Sequence, residues 1–179
     1  MKKAFFLDRD GVLNRSTLLD GVPKPPSSLE EVELHEGVVE AIQIMRDRDY
    51  LPVVITNQPD VARGITTIAQ VEAINLHIGK VTNIKHFYTC FHDDQDSCDC
   101  RKPSPGLIYL AASELDICVE HSYMVGDRWR DVSAGQLAGC KTFFLDRGYT
   151  EIKPKMPYIR VSSLLEAVNL MVGEQHETK

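Results

Sequence analysis

Short apolar runs that stop at polar clusters, alternating with amphipathic stretches, constrain this chain more than any other feature. The runs cover residues 4–7, 51–56, 87–89, 122–126 and 141–145, with a brief one at 158–161. They are apolar at successive rather than alternate positions, so the strands are expected to be buried on both faces. Between them, 37–48 carries Val38, Val39, Ala41, Ile42, Ile44 and Met45 as a helical stripe, and 66–81 places Val71, Ile74 and Ile78 on one side. A third helix is expected over 104–115, with Ser104 as N-cap and Pro105 in the first turn. A fourth covers 131–137 and closes near Gly139, and a last one covers 163–172. Pro52 is expected at the start of its strand, where a missing donor does least harm. Strands alternating with helices in this way predict an α/β fold, a doubly wound parallel sheet covered on both faces. Such sheets bind ligands beyond the carboxyl ends of their strands. With 179 residues, one domain is expected over 1–173, followed by a polar tail at 174–179. Residues 21–33, with Pro23, Pro25 and Pro26, read as an extended loop.

An apolar fraction of 43% excludes an intrinsically disordered chain. A net charge of -6, without any Lys/Arg-rich stretch, argues against nucleic acid as a partner. No apolar run is long enough to span a membrane, and 4–7 is far too short for the core of a signal peptide. The chain is therefore expected in the cytoplasm, with its five cysteines reduced.

Four polar clusters carry chemistry: Asp8-Arg9-Asp10-Gly11, Thr56-Asn57-Gln58, Arg101-Lys102-Pro103, and Gly126-Asp127 followed by Asp131. In the expected fold all four converge on one rim. Residues two apart on an extended chain face the same way, so Asp8 and Asp10 can enter one site while Arg9 points elsewhere. Four carboxylates brought together, Asp8, Asp10, Asp127 and Asp131, suggest a hard divalent cation held through oxygen, Mg²⁺ first. Lys102, Thr56 and Asn57 add positive charge and donors for an anionic group, which suits phosphoryl transfer to a carboxylate. Each cluster also has a plain reading. Asp-x-Asp-Gly is a common turn, Asp127 can cap a helix, and a lone lysine is usually solvated. The ordered combination at strand ends favours function.

Cys90-x-His92 and Cys98-x-Cys100 supply three thiolates and an imidazole, the ligand set of a closed tetrahedral zinc site. A set made wholly of protein groups leaves no open position, so this zinc would be structural; free thiols are the alternative. The loop over 90–102 runs into Arg101-Lys102 and would position both cations. Cys118 and Cys140 are expected as buried small hydrophobes.

Asp8-x-Asp10-Gly11-Val12-x-Asn14, Thr56-Asn57-Gln58, Lys102-Pro103 and Gly126-Asp127-x3-Asp131 resemble, in order, the four motifs of the haloacid dehalogenase superfamily. The cysteine–histidine loop before Arg101-Lys102-Pro103-x-Pro105-Gly106 is similar to the subgroup that holds heptose bisphosphate and histidinol-phosphate phosphatases. The resemblance implies a Rossmann-like core without a separate cap and a Mg²⁺-dependent phosphomonoester hydrolase. Asp8 would be the nucleophile and Asp10 the acid and base. Asp8, the Asp10 carbonyl and Asp127 would hold Mg²⁺, with Asp131 supporting. Thr56, Asn57 and Lys102 would bind the phosphoryl group, and Arg101 would contact the substrate beyond it. A small phosphorylated substrate is implied, heptose bisphosphate before histidinol phosphate, and a monomer is expected. Relatives often carry Ser-Gly where this chain has Pro59-Asp60. That difference and the loop at 21–33 lie where selectivity would be set.

Overall fold

The computed structural model describes residues 1–177. Its centre is β1 (Lys3–Leu7), whose last four residues are buried. The side chains divide with the period of two that a strand imposes. Phe5 and Leu7 pack on one face with α1 (Val38–Asp47), α2 (Ile68–Thr82) and α5 (Leu164–Glu177). Ala4 and Phe6 pack on the other with α3 (Gly106–Leu115) and α4 (Trp129–Ala138). Burial on both faces is why the sequence shows no polar alternation there.

The main sheet has six strands in the order β5-β4-β1-β6-β7-β8, every neighbouring pair parallel. Beyond β1 these are β4 (Tyr50–Asn57), β5 (His86–Cys90), β6 (Tyr123–Gly126), β7 (Lys141–Leu145) and β8 (Ile159–Val161). The chain builds outward from β1 through β4 to β5, then returns across the sheet to β6 on the other side of β1. The reversal leaves a crevice at the carboxyl ends of β1, β4 and β6, the ligand position of doubly wound sheets.

Several local expectations needed correction. β4 begins at Tyr50, so Pro52 is its third residue; it is tolerated because pairing with β5 starts only at Val53. α3 begins one turn position later than expected, at Gly106, with Pro105 as N-cap and no side-chain cap from Ser104. α4 starts at Trp129, two residues early, because the Asp131 carboxylate accepts from the Arg128 backbone N–H at 2.9 Å. α5 runs on to Glu177 through Gly173, since one glycine lowers helix propensity by only about 1 kcal/mol. Residues 178–179 of the expected tail lie outside the described residues. No helix of the described residues is long and apolar enough to cross a membrane.

The stretch between β1 and α1 is more ordered than its prolines suggested. β2 (Thr17–Leu19) and β3 (Val22–Lys24) form an antiparallel hairpin. Its turn is Asp20-Gly21, with φ of 53° and 77°. Positive φ at both central residues is the tight turn that matches strand twist, and Asp-Gly is its usual sequence. The hairpin stands beside the crevice, anchored where the Thr150 N–H donates to the Gly21 carbonyl at 3.2 Å.

Candidate active site

Three of the four polar clusters follow an apolar strand directly, so the sheet aims them at one crevice. Asp8 follows β1, Thr56 and Asn57 end β4, Asp127 follows β6, and Asp131 lies in the first turn of α4. Lys102 arrives from the loop between β5 and α3. It is almost wholly buried, and its ammonium lies 2.6 Å from Asp8 Oδ1, 2.7 Å from Asp131 Oδ1 and 2.7 Å from the Ile55 carbonyl. Burial alone would favour neutral lysine, but the charges of Asp131 and Asp8 hold its pKa above the usual lysine value.

Carboxylate oxygens of Asp8, Asp127 and Asp131 lie within 4.8 Å of one another. Burial pushes Asp8 well above the usual carboxylate range, with Lys102 pulling against it and Asp131 and Asp10 adding to it. Asp127 is also raised, by burial first and then by the charges of Asp8 and Asp131. Asp127 Oδ2 accepts from the Tyr149 hydroxyl at 2.6 Å, whereas Asp127 Oδ1 is buried with no hydrogen-bond partner. A buried carboxylate oxygen without a donor, beside two further carboxylates, is the donor set of a hard cation. Gly11 makes room for it. Its φ is +92°, and a Cβ there would stand 1.7 Å from Asp127 Oδ2.

Asp10 lines the same crevice, but its carboxylate is held apart from those three. It accepts from Gln58 Nε2 at 2.7 Å, Asn14 Nδ2 at 2.9 Å and the Arg9 guanidinium at 2.9 Å. Arg9 therefore does not turn away, as alternation along an extended chain suggested. It is fully buried, folds back on its neighbour, and is braced by Asn75 Oδ1 at 2.9 Å.

The Thr56 hydroxyl is buried and accepts from Gln58 Nε2 at 2.9 Å. Asn57 bonds the Lys102 backbone twice, accepting from its N–H at 3.1 Å and donating to its carbonyl at 3.0 Å. Its side chain thus fixes the loop that delivers Lys102. Arg101 also lines the crevice, its Nε 2.8 Å from Asp94 Oδ1. The cavity measures about 250 Å³. A larger groove of about 520 Å³ between α2 and β5 is shallow and mostly apolar, and none of the convergent carboxylates reaches it.

Donor atoms of Cys90, His92, Cys98 and Cys100 also lie within 4.8 Å of one another. Cys100 Sγ is 3.2 Å from Cys90 Sγ, 3.4 Å from Cys98 Sγ and 3.2 Å from His92 Nδ1. Three thiols and an imidazole facing one point suit a tetrahedral soft cation. All five cysteines are free; Cys140 is buried as expected, but Cys118 is only half-buried.

The HAD-hydrolase-like family model matches residues 99–167. D-glycero-beta-D-manno-heptose-1,7-bisphosphate 7-phosphatase of Helicobacter pylori (strain ATCC 700392 / 26695) is 35% identical, over 80% of this chain and 83% of the relative. The protein of the same name from Pasteurella multocida is also 35% identical, over 97% of this chain and 98% of the relative. This chain belongs to the haloacid-dehalogenase-like hydrolases. Among that family's solved structures, the D,D-heptose 1,7-bisphosphate phosphatase of B. bronchiseptica, complexed with magnesium and phosphate, superposes with a TM-score of 0.80 at 27% identity. That comparison covers 96% of this chain and 99% of the other.

The family motifs pointed to the carboxylates and Lys102, and the polar stretch 126–131 contains Arg130, but Tyr149 and Asp94 gave no sequence signal. Both come from loops whose meeting with the site only the fold reveals. Replacing Gly11→Ala should abolish activity and lower the melting temperature by several degrees, consistent with about 1–3 kcal/mol of backbone strain. Thermal unfolding and phosphate release, measured side by side, check both.

Proposed function

We propose that this protein is a Mg²⁺-dependent phosphomonoesterase that removes the 7-phosphate of D-glycero-D-manno-heptose 1,7-bisphosphate through an aspartyl-phosphate. The reading rests on the buried Lys102 between Asp8 and Asp131, set beside an unpartnered oxygen of Asp127. The names of the relatives supply the substrate.

Asp8 attacks phosphorus in line, forming a P–O bond to its carboxylate as the bond to the sugar oxygen breaks. Asp10 gives the leaving oxygen its proton. Asp10 then takes a proton from the water that attacks the aspartyl-phosphate, and the phosphate leaves with Asp8 restored. Arg9, Asn14 and Gln58 hold the Asp10 carboxylate in one orientation through both steps. Lys102 and Thr56 bind phosphoryl oxygens, while Asn57 keeps Lys102 in place. Asp8, the Asp10 carbonyl and Asp127, with Asp131 alongside, fit Mg²⁺, which when bound would neutralise charge on the phosphoryl group.

Cys90, His92, Cys98 and Cys100 fit Zn²⁺ in a structural role, pinning the loop that delivers Arg101 and Lys102. Arg101 Nη1 donates to the His92 carbonyl at 3.2 Å, tying the cation directly to that loop.

Phosphate release should be measured with Mg²⁺ against heptose bisphosphate, histidinol phosphate and other sugar phosphates. Heptose bisphosphate should give the highest kcat/KM, and Asp8→Asn should reduce release by at least about 10³-fold, as loss of a covalent nucleophile does. Better turnover of histidinol phosphate would displace the substrate reading; full activity in Asp8→Asn would displace the mechanism.

Metal analysis of the purified protein should find about one zinc per chain. Cys98→Ser should lose that zinc and lower the unfolding temperature, because a structural site contributes directly to folding energy. Equal zinc content in the variant would exclude this ligand set.

A further inference from the structure

The mouth of the crevice holds a charge arrangement that the hydrolytic steps do not use. Asp94 stands in the loop between Cys90 and Arg101, with its side chain 52% exposed. Its Oδ1 accepts from Arg101 Nε at 2.8 Å and from Arg130 Nη1 at 3.0 Å, and its Oδ2 accepts from Arg130 Nη2 at 3.2 Å. The two arginines are far more covered, their side chains 11% and 24% exposed. Each is braced by other groups: Arg101 by the His92 carbonyl, and Arg130 by the Trp129 ring at 4.9 Å. The two guanidiniums therefore share the solvent-facing Asp94 carboxylate, with Asp93 Oδ1 farther off, 3.9 Å from Arg101 Nη2 and chiefly engaged by Arg63. All three residues line the crevice that holds Asp8 and Asp10.

We propose that Asp94 is an internal counter-ion that the second anionic group of the substrate displaces, so that Asp94 and Arg130 set selectivity for a bisphosphate. This rests on the phosphatase reading above. One carboxylate brings a single charge and two oxygens to two guanidiniums. A phosphate monoester brings about -1.5 to -2 charge and three acceptor oxygens, which better satisfies two forked donors. A phosphate seated on Arg101 and Arg130 would face Asp94 at contact distance with like charge, so the carboxylate has to swing out. Its exposure leaves it water to move into. A substrate that ends in a hydroxyl cannot compete for the arginines and leaves Asp94 in place. The rotation of Asp94 thus costs nothing to a monophosphate and is offset only by a second anion. Removing the Asp94 charge should help bisphosphates selectively, and removing Arg130 should harm them selectively.

The test is the ratio of kcat/KM for D-glycero-D-manno-heptose 1,7-bisphosphate to that for the heptose 7-phosphate, in the metal-loaded protein. Because both substrates are assayed on one preparation, the fraction folded cancels from the ratio. Asp94→Asn should raise the ratio about fivefold and Arg130→Gln should lower it about tenfold, the size of effect expected for a charge-assisted contact. A ratio unchanged in both variants, or lowered by Asp94→Asn, overturns the counter-ion role while leaving the phosphatase reading intact. If the wild type releases phosphate from neither sugar, the phosphatase reading fails and this inference fails with it.

Discussion

An ammonium group taken out of water persists only where negative charge surrounds it closely, and that requirement organises this protein. Lys102 is buried against Asp8, Asp131 and the Ile55 carbonyl. Breaking a pair like this by removing one member costs about 3–5 kcal/mol, because the remaining charge is left buried without compensation. Three carboxylates then share one lysine, which leaves local negative charge and an oxygen of Asp127 without a donor. The site is thus built with a deficit of positive charge, which a divalent cation and the cationic mouth of the crevice can make up. Part of the chain's net charge of -6 resides in this cluster.

The rest of the structure serves to bring Lys102 there. β1 and β6 run side by side through the core and place Asp8 and Asp127 at adjacent strand ends. β4, on the other side of β1, ends at Asn57, whose amide grips the Lys102 backbone from both sides. The loop from Cys90 to Lys102 gathers the donor atoms of Cys90, His92, Cys98 and Cys100 at one point and pairs Asp93 and Asp94 with arginines. Asp93 takes Arg63 at 2.7 Å, and Asp94 takes Arg101 and Arg130. One loop therefore carries the buried lysine, a cluster of sulfur and nitrogen donors, and the charged rim of the crevice.

Much of this was legible in the residues. Apolar runs without alternation specify a parallel sheet covered on both faces, and polar clusters at the ends of such runs have one rim to occupy. The carboxylates and Lys102 were readable for that reason. Three things were not. Arg9 was expected to point away, because alternation holds only while the chain stays extended, and a tight turn at Gly11 ends it at once. The hairpin at Asp20-Gly21 was masked by the prolines that follow, although its dipeptide is a hairpin signal in its own right. Tyr149 and Asp94 meet the site across long sequence separations, and no spacing along the chain encodes such meetings; Arg130 sits beside Asp131, and only its pairing with Asp94 depends on the fold.

If Lys102 is the charge on which both the fold of the site and its chemistry depend, its removal must damage both. Lys102→Met keeps the length and removes the charge, so urea unfolding and phosphate release of this one variant test it directly. The expected result is a loss of about 3–5 kcal/mol in unfolding free energy together with a fall in turnover of at least about 10²-fold. A variant as stable as the wild type and turning over at the same rate would contradict it.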